Sequence, residues 1–273
     1  MLDKRQKYLQ IAFNRTLGEI AAMINSLPIS NRIIIEAGYP LIKNYGTAAI
    51  RAIKTFWEQK VFGYISGTSQ TSKRQSFGLM KINSPLIELL LKSIKETKIK
   101  EQKRKLLKNE EISFEPYIVA DLKCMDRAFT EVETAASAGA SAATCLGLAP
   151  PETIDAFVKK CEEIGIDSIL DMINVQHPFE VLGRLRKLPQ IIMLHRGVDE
   201  REKNKEKEIP YHEIERIKSA YDNILIATAG GETINEVFKG IFNGADIIIV
   251  WQLINENPGR ITDLTNKFLK EIK

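Results

Sequence analysis

The six residues Asp121-Leu122-Lys123-Cys124-Met125-Asp126 close an apolar run, Tyr117-Ile118-Val119-Ala120. Alternate side chains of a strand share a face, so Asp121 and Lys123 point the same way and Asp126 falls just past the strand end. Two carboxylates then bracket one ammonium at the mouth of an apolar strand. Burying such charges is costly unless they pair or bind something. Taken alone, the cluster reads equally well as a surface salt-bridge network, which would contribute little.

Other chemistry-bearing residues recur at the same place relative to apolar runs. Glu36 ends Arg32–Glu36, and Asp171 and Asn174 close and follow Ser168–Met172. His195 and Arg196 end Ile191–His195. Gly230-Gly231 follow Ile224–Ala229, where backbone N–H groups at a helix start can hold an anion. Each has a plain reading by itself: a surface acid, a helix cap, a structural histidine, a turn. Five strand ends of one polarity with ionisable or glycine chemistry point instead to a common site.

The elements that must position them alternate. The runs just named, with Tyr8–Phe13, Tyr117–Lys123, Ala142–Leu146 and Ile247–Val250, make eight candidate strands. Between them, Thr153–Ile164 and Thr233–Ile241 repeat apolar residues at helical spacing. Pro150-Pro151 followed by Glu152 suits the start of the first of these helices. Strand–helix alternation implies parallel strands with right-handed crossovers. Eight such strands in a chain of 273 residues predict an α/β fold, a closed (β/α)8 TIM barrel. No GxGxxG follows the first strand, which argues against an open dinucleotide-binding sheet.

One crossover is too long. About eighty residues separate Glu36 from Tyr117. A helix around Tyr45–Gln59 supplies the ordinary connection, which leaves an insertion over 61–115 between strands two and three. Its first part, Gly63–Gly78, reads as a loop. Ser84-Pro85 then suits the start of a second helix. The insertion is too poor in apolar residues for a core of its own, so 1–273 reads as one barrel domain. Residues 73–108 carry eleven Lys and Arg against three Glu, while the whole chain is only +4. The basic excess therefore belongs to this segment. It lacks interleaved aromatics, so a solvated helix face is expected there and nucleic-acid binding is not.

Cys124, Cys145 and Cys161 show no metal-ligand spacing and read as reduced, buried thiols. The charged start Met1–Gln10 and the absence of a long apolar run predict a cytoplasmic protein without membrane spans.

Asp121-x-Lys123-x-x-Asp126 resembles the DxKxxD signature of the orotidine 5′-monophosphate decarboxylase superfamily, and especially its 3-hexulose-6-phosphate synthase branch as found in archaea. Ile34–Ile42, Gly147–Pro150, Asp171–Val175, Leu194–Asp199 and Ala229–Gly231 extend the likeness over most of the chain outside 61–115. The resemblance implies a homodimeric barrel with its sites at the subunit interface. It implies that Glu36 and Asp121 bind Mg2+, that Lys123 is a cation beside the reacting centre, and that Asp126 reaches the partner's site. His195 matches a proton-transfer histidine. Asn14, Asp171, Arg196, Gly230 and Gly231 match positions that contact substrate. The implied reaction joins formaldehyde to ribulose 5-phosphate, or reverses that step, through a metal-stabilised enediolate.

Two features depart from the family pattern. Asn14 stands where the first strand usually ends in Asp. Trp251-Gln252 replace a Gly-Arg pair that grips the substrate phosphate. An indole in glycine's place is expected to narrow or close that pocket. Losing a guanidinium is expected to cost about 1.5–3 kcal/mol, roughly ten- to hundred-fold in affinity, unless Lys73 or Arg74 of the insertion compensates. Three readings follow: a hexulose-phosphate synthase-type lyase with an altered phosphate grip, a superfamily decarboxylase or isomerase with another substrate, and a non-catalytic paralogue.

Overall fold

A computed structural model describes residues 1–63, 114–231 and 233–272. The chain divides into two compact units, one of Met1–Trp57 with Pro116–Lys273 and one of Glu58–Glu115. The expected loop Gly63–Gly78, the helix from Ser84-Pro85, the basic run 73–108 and the pair Lys73 and Arg74 lie essentially outside the described residues.

The first unit is the barrel that the alternating pattern predicts. Its strands are β1 (Tyr8–Phe13), β2 (Ile33–Ala37), β3 (Tyr117–Cys124), β4 (Ala142–Leu146), β5 (Asp167–Asp171), β6 (Ile191–His195), β7 (Leu225–Ala229) and β8 (Ile247–Val250). They are parallel, pair in chain order, and close by β1 against β8, with Tyr8 opposite Ile247 and Leu9 opposite Ile248. The expected strand limits shift by one residue at β2, β3, β5 and β7.

The inward side chains fill the barrel. Tyr8, Ala12, Ile34, Val119, Ala142, Ile169, Ile191, Leu225 and Ile247 form one buried cluster. Alternation sends Leu9, Ile11 and Phe13 of β1 the other way, where they are also buried. Strands buried on both faces explain the near-continuous apolar runs.

The helices are α1 (Leu17–Asn25), α2 (Tyr39–Tyr45), α3 (Thr47–Phe62), α4 (Ala128–Ser137), α5 (Pro151–Ile164), α6 (Pro178–Leu182), α7 (Val198–Lys203), α8 (His212–Ala220), α9 (Ile234–Phe242), α10 (Gln252–Asn255) and α11 (Ile261–Glu271). The expected Tyr45–Gln59 helix is α3, preceded by the short α2. In α5, Pro150 is the N-cap, Pro151 opens the helix, and Ile154, Phe157, Val158 and Cys161 are its buried stripe. Gly165 ends it at φ 83°, the left-handed conformation that glycine adopts without penalty. In α9, Thr233 and Glu236 form a reciprocal capping box. That box fixes the start of α9 directly behind Gly230-Gly231.

All three cysteines are free and buried. Among the described residues no helix is long and apolar enough to cross a membrane.

Candidate active site

A cavity of about 550 Å³ opens at the C-terminal ends of the strands. This is the end at which barrel strands present side chains free of the packed interior. Glu36, Asp121, Lys123, His195, Arg196, Gly230, Gly231 and Asn14 all line it.

Strand β3 reaches the cavity through an irregularity. Its register against β4 shifts between Ala120 and Cys124, and Lys123 has φ 48°. A lysine in the left-handed region is strained, and a bulge re-aims the side chains around it. The strain is held by hydrogen bonds. Lys123 N donates to Thr144 Oγ1 at 2.9 Å, and Thr144 Oγ1 donates to Asp121 Oδ1 at 2.8 Å. Simple alternation therefore predicts the right face for Lys123, but the bulge and Thr144 put the side chain there.

The charges form a chain across three strand ends. Lys123 Nζ lies 2.8 Å from Asp171 Oδ2 and 3.4 Å from Asp121 Oδ2. His195 Nδ1 lies 2.9 Å from Asp171 Oδ1. The backbone N of Ile173 donates to that same oxygen at 3.0 Å. Burial acts to push the Asp171 carboxyl up. The His195 ring and the Lys123 ammonium outweigh it and hold the carboxyl at about 2. Burial likewise works against the Lys123 ammonium, and Asp121 and Asp171 hold it above its ordinary range. With Nδ1 held by a carboxylate, Nε2 is the His195 atom left for a reactant.

Asp171 is thus placed differently from its expected substrate contact. Its side chain is fully buried and lies beneath the cavity, outside the lining residues. There it orients Lys123 and His195. Arg196 also differs. It borders the cavity, but its guanidinium pairs with Glu236 at 3.6 Å and donates to the carbonyls of Arg201, Asn204 and Lys205. It fastens the loop after β6. Gly230 has φ 96°, and a Cβ there would sit 2.2 Å from the Arg196 carbonyl oxygen. Only glycine lets β6 and β7 approach so closely at this rim.

Glu36 and Asp121 lie on neighbouring strands. Glu36 pairs in register with Val119, two residues before Asp121, so both point inward. Burial, and then the Asp121 charge, push the Glu36 carboxyl up to about 8, against the opposing effects of its Gln10 hydrogen bond and Lys123. Two buried carboxylates that repel each other are a fitting hard-oxygen donor set for a divalent cation. Among the described residues no group of three or more histidines, cysteines and acids gathers in metal-binding geometry. Two carboxylate donors are a set that an ion keeping several of its waters can use.

Asp126 is exposed and lies in a separate surface groove with Arg127, Phe129 and Glu152. Within one copy it lines that groove and not the cavity that Lys123 lines.

Trp251 does not close the cavity. It forms one wall, packs against the barrel interior, and its Nε1 donates to the Asn14 side-chain oxygen at 2.9 Å. Gln252 Oε1 accepts from Arg201 Nη2 at 2.8 Å. Sequence reasoning missed Arg201, which sits in a charged run that reads as exposed helix yet is buried and lines the cavity. It also missed Gln10, whose signal was a lone amide in an apolar strand, and Thr144, which gave none.

Residues 73–251 match the profile of the orotidine 5'-phosphate decarboxylase / HUMPS family. The chain belongs to that family. It is 31% identical over 267 residues to the bifunctional enzyme Fae/Hps of Methanothrix thermoacetophila, covering 97% of this chain and 53% of that one. The chain thus spans about half the length of the curated relatives it matches. In fold it is similar to 3-hexulose-6-phosphate synthase from Salmonella typhimurium (TM-score 0.67, 20% identity, 97% and 99% of the two chains). It is also similar to KGPDC from Streptococcus mutans in complex with D-R5P (TM-score 0.61, 14% identity, 97% and 99%). The Methanothrix relative is a bifunctional enzyme by name, and the likeness to the solved structures shows a shared fold.

Proposed function

We propose that the protein is a 3-hexulose-6-phosphate synthase-like aldehyde lyase, acting on formaldehyde and ribulose 5-phosphate or on their adduct. The observation that carries this reading is the Lys123–Asp171–His195 chain. It sets a cation and an oriented imidazole on one cavity beside two inward carboxylates. The Hps-containing relatives support the substrate class.

The residues divide the work as follows. Asp171 holds His195 by Nδ1, so Nε2 can take a proton from the carbon acid and return one to the product. Asp171 and Asp121 together hold the Lys123 ammonium beside the reacting centre, where it steadies oxygen-centred negative charge. Mg2+ held by Glu36 and Asp121 would add Lewis-acid stabilisation of that charge. Asn14 and Trp251 brace each other at the wall and help to exclude water.

A homodimer belongs to this proposal. Met125, Phe129 and Leu148 are exposed apolar residues on the β3 and β4 side of the barrel mouth, next to the surface groove that holds Asp126. A second copy covering them would bring Asp126 toward a neighbouring cavity.

The test is a coupled assay of ribulose 5-phosphate plus formaldehyde with and without Mg2+, run beside orotidylate and 3-keto-gulonate 6-phosphate. Magnesium-dependent loss of formaldehyde with ribulose 5-phosphate alone is the expected result. Turnover of either carboxylated substrate in its place would favour the decarboxylase reading.

A further inference from the structure

We infer that Thr144 is the positioning residue of this site: its hydroxyl closes an arch in β3 and fixes which oxygen Asp121 offers to a divalent cation. The inference rests on the reading that Asp121 is a ligand of that cation. It puts the control of the site on β4, a strand that supplies no reacting group.

The register of β3 against β4 shows the arch. Below it, Val119 stands opposite Ala142 and Ala120 opposite Ala143; above it, Cys124 stands opposite Cys145. Asp121, Leu122 and Lys123 therefore face Thr144 alone. Extra residues in one strand fall outside the ladder and need other partners. Thr144 supplies them at both ends of the arch. The Lys123 N–H donates to Oγ1 at 2.9 Å, and Oγ1 donates to Asp121 Oδ1 at 2.8 Å. Just above, the Cys145 thiol donates to the Cys124 carbonyl at 3.2 Å. Lys123 has φ 48°, a conformation that persists in a lysine only where its surroundings hold it.

Chemistry fixes the direction of these bonds. A backbone N–H can only donate, so the Thr144 oxygen accepts from Lys123 and its single proton goes to the carboxylate. That proton holds Asp121 Oδ1. The geometry then assigns Oδ2, which lies 3.4 Å from Lys123 Nζ, to the cation. Glu36 is held in the same manner on the neighbouring strand, where the Gln10 amide donates to Oε2. Each acid thus has one oxygen gripped from the barrel interior and one to offer, a single-oxygen mode that suits an octahedral ion keeping several waters. Both holding groups are neutral, so they orient the carboxylates without cancelling the charge that attracts a cation. Thr144 is 1% exposed and is not among the residues that line the cavity. It acts through Asp121 and Lys123 and touches no reactant.

Titration of the full chain with Mn2+, followed by electron paramagnetic resonance, tests this, with melting temperatures taken on the same samples. Thr144→Val keeps the shape of the side chain and removes the hydroxyl. Thr144→Ser keeps the hydroxyl and removes a methyl group. Groups that orient metal ligands are typically worth ten- to hundred-fold in metal affinity, so Thr144→Val should bind Mn2+ about that much more weakly, and Thr144→Ser within about threefold of wild type. If Thr144→Val does not fold, Thr144→Ala set against Thr144→Ser gives the same contrast. A threonine that only packs would lower the melting temperature of the valine variant and leave its Mn2+ affinity unmoved, which would overturn the inference. Equal weakening in the serine and valine variants, or a wild type that takes up no Mn2+, would overturn it as well. Metal uptake needs no turnover. A protein that binds Mn2+ with this dependence on the Thr144 hydroxyl yet consumes no formaldehyde would sink the lyase reading and leave this one standing.

Discussion

Replacing Asp171 by Asn removes the one carboxylate that both Lys123 and His195 share. Its folded-state carboxyl sits at about 2, against an ordinary 3.8. A depressed carboxyl stabilises the fold above its unfolded value and loses that contribution as pH falls through the folded one. With a tenfold change in proton affinity worth about 1.4 kcal/mol, the contribution is on the order of 2–3 kcal/mol at neutral pH. The variant also leaves two basic side chains against an amide, although Lys123 keeps Asp121 at 3.4 Å. Breaking a buried charge network in this way costs up to about 3–5 kcal/mol. Urea denaturation of Asp171→Asn at pH 7 should therefore show a loss of about 2–5 kcal/mol. The gap to wild type should hold down to about pH 4 and narrow steeply between pH 4 and 2, as the wild-type carboxyl takes up its proton. A gap below about 0.5 kcal/mol at pH 7, or one of equal size at pH 7 and pH 2.5, would refute the reading of Asp171 as an ionised keystone.

The remaining expectations concern the site directly. His195→Gln should lower kcat by about 10²–10⁴-fold, with ribose 5-phosphate affinity retained by calorimetry; an unchanged kcat would remove the histidine from proton transfer. Glu36→Gln and Asp121→Asn should each abolish Mn2+ binding measured by electron paramagnetic resonance, and chelator should silence the wild type in the same way. Binding that survives in Glu36→Gln would place the ion elsewhere. Phe129→Asp should convert a dimer to a monomer in light scattering and lower activity with it. A wild type that is already monomeric would end the interface proposal.

Much of this protein was legible before its tertiary structure. Eight β-branched runs separated by helical period leave parallel strands few ways to pair, and closure in chain order followed. The acid, lysine, histidine and glycine residues at one polarity of those runs had to converge once the sheet closed, because all strands of such a barrel point the same way. What a linear pattern cannot carry is depth and cross-strand partnership. Asp171 and Arg196 look alike in sequence as polar residues at strand ends. Packing drops one beneath the floor to orient its neighbours and turns the other outward onto loop carbonyls. Lys123 owes its direction to a bulge, which depends on the register between two strands. Trp251-Gln252 reads in sequence as the loss of a phosphate grip. In the folded barrel the indole leans on Asn14, and the amide meets Arg201, fifty-one positions away. That meeting exists only because β6 and β8 flank the same strand, β7, in a closed sheet.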